Sequence, residues 1–214
     1  RSPNELASYQ KKLVKIDDHM GVGMSGLTAD GRSLVKYMRT EALNHKYVYS
    51  TPIQGSRLVI DVADMHQRCT QSYVRRPYGV GLLVATYDQT GPHLFQTQPS
   101  GEYYECQAMA IGSRSQTSKT YLEREYSTFP ECNLDDLIKH ALKALSVSLA
   151  GEVELDTKSV SISIVGVDRP FEIIDGEGLQ PYLDSVDLSG ATGAGAGGAA
   201  DTANVDVEME EPDI

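Results

Sequence analysis

Cysteine is scarce in this sequence. The three present, Cys69, Cys106 and Cys132, are odd in number and widely spaced, with no C-x-x-C pair. That pattern supports neither a disulfide framework nor a structural zinc site, and it fits three reduced thiols in a cytosolic or nuclear protein. Long apolar runs are missing as well: nothing approaches the roughly 18 residues that span a bilayer, and the first residues have no apolar centre of the signal-peptide kind. The expectation is a soluble, intracellular chain without a membrane partner. Lys and Arg vanish from Asp187 onward, where seven acidic residues stand, so the formal charge of −11 falls to −4 for residues 1–186. Binding to a phosphate backbone rests on clustered Lys and Arg, so nucleic acid is excluded as the main partner.

What the sequence does contain is one domain's worth of core, with 214 residues of which 40% are hydrophobic. An apolar stretch begins at Leu13, and Met20 to Leu27 is small and glycine-rich. Leu34, Met38 and Ala42 recur at helical spacing behind Thr28 or Asp30 as cap, and Ile53, Leu58, Val62, Met65 and Cys69 mark a second helix. Tyr78 to Tyr87 is a near-continuous apolar run, expected to be a strand covered on both faces. After a turn at Asp88 to Gly91, His93 to Thr97 and Tyr103 to Ile111 read as further strands of an antiparallel meander, joined through Pro99 to Gly101.

Ser113 and Gln116 fit a capping box for a helix reaching Tyr126. Asn133 caps the next, whose stripe is Leu134, Ile138, Ala141, Leu145 and Leu149, with Gly151 as its stop. Ser159 to Val165 alternates like a half-buried strand and pairs with Phe171 to Ile174, and a short helix from Glu177 to Val186 closes the body. Residues 187–214, Gly/Ala-rich and then acidic, have too little apolar area to offset ordering entropy and are expected to form a disordered tail that favours solubility. The order of elements predicts an α+β layered fold with antiparallel hairpins and no internal repeat.

Motifs for chemistry are few. Gly21 to Gly26 matches G-x-G-x-x-G, which would make the chain a nucleotide-dependent oxidoreductase if the glycines opened a helix against a pyrophosphate. Leu27 to Asp30 intervene before the helix, so the competing interpretation is a strand whose glycines permit close packing. The five histidines are scattered with no H-E-x-x-H, and Ser25 lies outside a G-x-S-x-G elbow because position 27 is Leu. No metal and no cofactor is expected.

Several stretches, taken in order, resemble one family. They are Ser25 to Arg32, Arg76 to Leu82, Gly91 to Phe95 with Pro99 to Gly101, Ala110 to Gln116, and Tyr121 to Arg124. Together they resemble the alpha-type subunits of the proteasome core particle over roughly Asn4 to Val186. The resemblance implies a four-layer alpha-beta-beta-alpha sandwich, the fold of the amino-terminal-nucleophile hydrolases, with two antiparallel sheets. Catalytic relatives use an N-terminal Thr whose own amine is the base; alpha-type members lack it and position 1 here is Arg1, so the implied catalytic set is empty. The implied partners are neighbouring alpha subunits, the beta ring, and the C-terminal tails of activators.

Two residues carry over for binding. Lys12, ahead of Ile16-Asp17-Asp18, matches the lysine whose ammonium pairs with an activator tail's carboxylate, and Gly26 matches the glycine that leaves that tail room. Family members also carry a gating segment, a first helix and a first strand pair ahead of the part matching Arg1. No counterpart of the Gly-Arg-Leu-x-Gln-Val-Glu-Tyr-Ala signature occurs in these 214 residues, so the fold is expected without its beginning, with an open sheet edge.

Overall fold

A computed structural model describes residues 10–149 and 155–185. The expected tail from Asp187 and the Gly151 helix stop lie outside the described residues. Two strands, β1 (Leu13–Asp17) and β2 (Met20–Gly26), open the order and form an antiparallel hairpin. Helices α1 (Thr28–Tyr49) and α2 (Gly55–Thr70) follow. The meander continues with β3 (Val80–Asp88), β4 (Gly91–Thr97) and β5 (Tyr103–Glu105), which completes a five-stranded antiparallel sheet in the order β1-β2-β3-β4-β5.

Helix α3 (Ser115–Glu125), a 3-10 stretch at Tyr126–Glu131 and α4 (Leu134–Ser148) come next. A separate hairpin of β6 (Ile162–Gly166) and β7 (Arg169–Ile174) then leads to the short α5 (Gln180–Asp184). The layers run α1 and α2, the five-stranded sheet, the β6–β7 hairpin, then α3 to α5. The α+β class and the antiparallel sheets are therefore as the sequence predicted.

Alternation along β2 and β3 turns Met20, Val22 and Met24 with Val80, Leu82 and Val84 onto one face. There they bury against Leu34 and Met38 of α1 and Leu58 and Val62 of α2. The opposite face of β3 is only half buried rather than covered; among the described residues the layer over it has two strands. That hairpin is held by a close fit: a side chain on Gly21 would start 1.9 Å from the Phe171 ring, and Phe171 N–H donates to Asp18 O at 2.6 Å. A second, smaller core gathers Ile138 and Leu142 of α4, Val160, Ile164 of β6, and Leu179 and Leu183.

Three local expectations are corrected. Asn133 does cap α4, accepting from Asp136 N at 2.8 Å, but Ser113 and Gln116 form no capping box: α3 starts at Ser115 behind Arg114 in the left-handed region, φ 57°, with no side-chain cap. The buried stripe of α4 is Ile138, Leu142 and Ala144, while Leu134 and Leu145 face outward. The strand expected from Tyr103 to Ile111 stops at Glu105, although Cys106 N–H still donates to Leu94 O. Among the described residues no helix is long and apolar enough to cross a membrane.

Candidate functional site

The open end of the β1–β2 hairpin brings the two predicted binding residues together. Lys12 sits just ahead of β1 with its side chain exposed, and its carbonyl accepts from Met24 N at 2.9 Å, which extends the ladder one step beyond Leu13. Gly26 ends β2 two residues further along the paired strand. Its backbone has φ 128°, and a Cβ there would lie 2.2 Å from Gly79 O, so only glycine fits. Leu27 N–H then donates to the same Gly79 carbonyl at 2.8 Å, and the Thr28 hydroxyl donates to the Gln10 carboxamide oxygen at 2.7 Å.

A clasp behind this corner holds it in shape. Asp30 receives both arms of the Arg76 guanidinium, at 2.6 and 2.9 Å, and also the Gly79 N–H at 2.9 Å. The Arg76 contact, then the Gly79 N–H, hold its carboxyl below the usual carboxylate range. Asp30 is thus no helix cap; α1 begins behind Leu27 with no side-chain cap, and Asp30 instead ties the 76–79 loop to the Gly26 corner. Both clasp residues stand in resembling stretches, yet nothing in their local spacing shows that residues 46 apart would meet.

The Gly21–Gly26 run is a strand paired on both sides, with β1 and with β3, so its backbone donors serve ladders and do not converge on a phosphate. The glycine-rich loop expected of a dinucleotide site is not formed. Among the described residues no cluster of His, Cys, Asp or Glu is arranged to hold a metal.

Two of the histidines are tied closely to their neighbours. His66 is fully buried in α2 with Nδ1 donating to Val62 O at 2.9 Å, and burial pushes its imidazole below the usual histidine range. His93 contacts Thr90 Oγ1 at 2.7 Å and Glu105 at 2.5 Å, which has the outline of a nucleophile, base and acid. The chemistry runs the other way. The Thr90 hydroxyl donates to Asp88 at 2.5 Å, and His93 is drawn above its ordinary range by Glu105 first and Asp88 after it. Because the Thr90 hydroxyl already gives its proton to Asp88, that proton is not aimed at the imidazole for abstraction.

Comparison with known proteins settles the family. The family described as "Proteasome: Proteasome subunit" matches residues 1–165. The chain belongs to the proteasome subunit family. It is 54% identical over 185 residues to "Proteasome subunit alpha type-1" of Dictyostelium discoideum, covering 86% of this chain and 75% of that one. It is 47% identical to the protein of the same name from Trypanosoma brucei rhodesiense, over 84% and 67% of the two chains. Against "Probable proteasome subunit alpha type-6" of Schizosaccharomyces pombe it is 45% identical over 94% and 74%. As a proteasome subunit of the alpha type, the chain has the α+β sheet arrangement that its order of elements predicted.

Proposed function

We propose that the chain is a non-catalytic structural subunit of the alpha ring in the proteasome core particle. Its place is the sixth alpha position, which the Phe95 to Pro99 stretch and the Arg114-Ser115-Gln116 helix start resemble most. It works in the cytoplasm and nucleus between neighbouring alpha subunits and against the beta ring, where it supports assembly and substrate gating for ubiquitin-dependent degradation. Residues 1–186 form the alpha-type domain, and 187–214 an appended solubilising tail. Lys12 and Gly26 receive the C-terminal tail of an activator.

One observation supports this assignment: the exposed Lys12 and the side-chain-free Gly26 lie at the open end of the same β1–β2 hairpin, fixed by the Met24-to-Lys12 backbone bond and the Asp30–Arg76 clasp. A peptide carboxylate entering there meets a positive charge and open backbone, the elements of C-terminal capture. Loss of a charge-assisted hydrogen bond costs about 1.5–3 kcal/mol, so Lys12→Ala should weaken an activator-tail peptide by roughly tenfold or more. An amidated peptide should bind the unaltered chain equally poorly. Equal binding of acid and amide forms would remove Lys12 from the role. For assembly, native mass measurement should find the chain in a particle of many distinct subunits, and peptide hydrolysis by the chain alone would overturn the non-catalytic assignment.

A further inference from the structure

Strand β1 and the flank of α1 beside it make a strip of one charge. Near one end the Thr28 hydroxyl donates to the Gln10 carboxamide oxygen at 2.7 Å, and near the other Arg39 donates through Nε and Nη2 to Lys15 O at 2.9 and 2.6 Å. Between these ties the helix rises about 16 Å and the strand covers about the same length, so the two run side by side. Arg32, Lys36 and Arg39 are exposed and recur at helical spacing on this flank, and Lys11, Lys12 and Lys15 follow along the strand. Lys15 pairs with Asp18 at 2.6 Å, while the other five form no ion pair among the described residues. The carboxylates of α1 are turned elsewhere: Asp30 binds Arg76, and Glu41 lies beside Tyr37 with Asp61 and Asp64 of α2. β1 is the outermost strand of its sheet, so among the described residues no further strand covers its far side.

We propose that the acidic segment 201–213 of this same chain docks on that strip. From Asp187 onward the sequence has seven acidic residues and no Lys or Arg, the charge that the strip lacks. Asp206, Glu208 and Glu210 alternate with Val205, Val207 and Met209. An extended backbone therefore sets the three carboxylates on one side about 7 Å apart, close to the spacing of about 5–6 Å between successive cations along α1. Extended, the chain from Ser185 to Asp206 spans about 70 Å, more than the roughly 40 Å width of a compact domain of this size. Tethering raises the local concentration of the segment, which offsets the weakness of each exposed ion pair. Lys12 belongs to the strip, so a docked segment stands in the way of an activator's carboxylate. That consequence rests on the role proposed for Lys12, whereas the docking does not.

The test treats the full 214-residue chain with a water-soluble carbodiimide, which joins a carboxylate to an amine only where the two touch, and maps the new amides by mass spectrometry. Amides from residues 206–211 to Lys11, Lys12 or Lys36 are expected within the monomer, and high salt should reduce their yield several-fold by screening. Arg32→Glu, an exposed change that leaves the Arg39 tie in place, should lower the yield at Lys36 about fivefold. Asp206→Asn, Glu208→Gln and Glu210→Gln together should tighten an activator-tail peptide several-fold. Amides intact in a chain that binds no such peptide would count against the role of Lys12 and still support docking. Amides gathered instead on Lys139 and Lys143 of α4, the helix packed against α5 where the segment begins, amides found only between two copies, or a yield indifferent to both salt and Arg32→Glu would overturn the proposal.

Discussion

The two β layers of this subunit are held by different means. The five-stranded sheet and helices α1 and α2 share a core of sixteen buried residues, from Ile16 to Phe95, most of them from continuous helical stripes or alternating strand positions. Among the described residues the β6–β7 layer has six, drawn from short pieces between Ile138 and Leu183. The first layer contains its own reason to fold; the second gains much of its place by resting on the first, through Phe171 over Gly21 and the Phe171-to-Asp18 backbone bond. The difference predicts that damage to the larger core unfolds the whole, while damage to the smaller one loosens a layer.

The sharpest break is Leu58→Ala, at a fully buried site of the large core, expected to cost about 2–5 kcal/mol by lost transfer energy and a cavity that packed helices cannot collapse. Leu179→Ala, equally buried in the small core, should fall at the low end, about 2 kcal/mol, because fewer neighbours hold the void open. Urea midpoints followed by two probes would check this, and equal losses would end the distinction between the cores. Next, Gly21→Ala drives a methyl into the Phe171 ring and should cost about 1–3 kcal/mol. Pairing it with Phe171→Leu should recover part of that loss, and a double-mutant cycle showing no coupling would disprove the contact as the link between layers.

Within the second layer, Asn133→Ala should cost about 1 kcal/mol through loss of the α4 cap, read from the same unfolding curves. The smallest effects come from two histidines that respond to acid in opposite senses. His66 lies below its ordinary value of 6.5, so between that value and its folded one the unfolded chain binds more protons, and stability falls as pH drops through this window. His93 lies above 6.5; its contribution is complete below 6.5 and disappears as pH rises through the folded value. Midpoints measured across this range should therefore show His66→Gln flattening the acid decline and His93→Gln removing an acid-side gain. Both variants keeping the wild-type pH profile would sever the link between these sites and acid response.

Legibility in the sequence followed the same divide. Leu34, Met38 and Ala42, and the alternation through Val80, Leu82 and Val84, were readable because each element buries one face against neighbours close in sequence. Where long-range contacts decide, local rules failed. Asp30 has the chemistry of a cap but finds Arg76, a stronger partner than a free backbone donor. Ser113 loses its capping role because Arg114 turns left-handed, and the outward Leu134 and Leu145 of α4 are assigned by which face meets β6, something periodicity cannot choose. At the binding corner, Lys12 and Gly26 came from resemblance, while the clasp that fixes them needed coordinates.

The empty space above Gly21 acts like a keyway cut for the Phe171 ring. Were β2 to shift by one residue against its partners, Met20 or Val22 would turn toward the ring and the aromatic would have nowhere to go. A missing side chain thereby polices strand alignment across two layers, so positions 21 and 171 are expected to change only in concert.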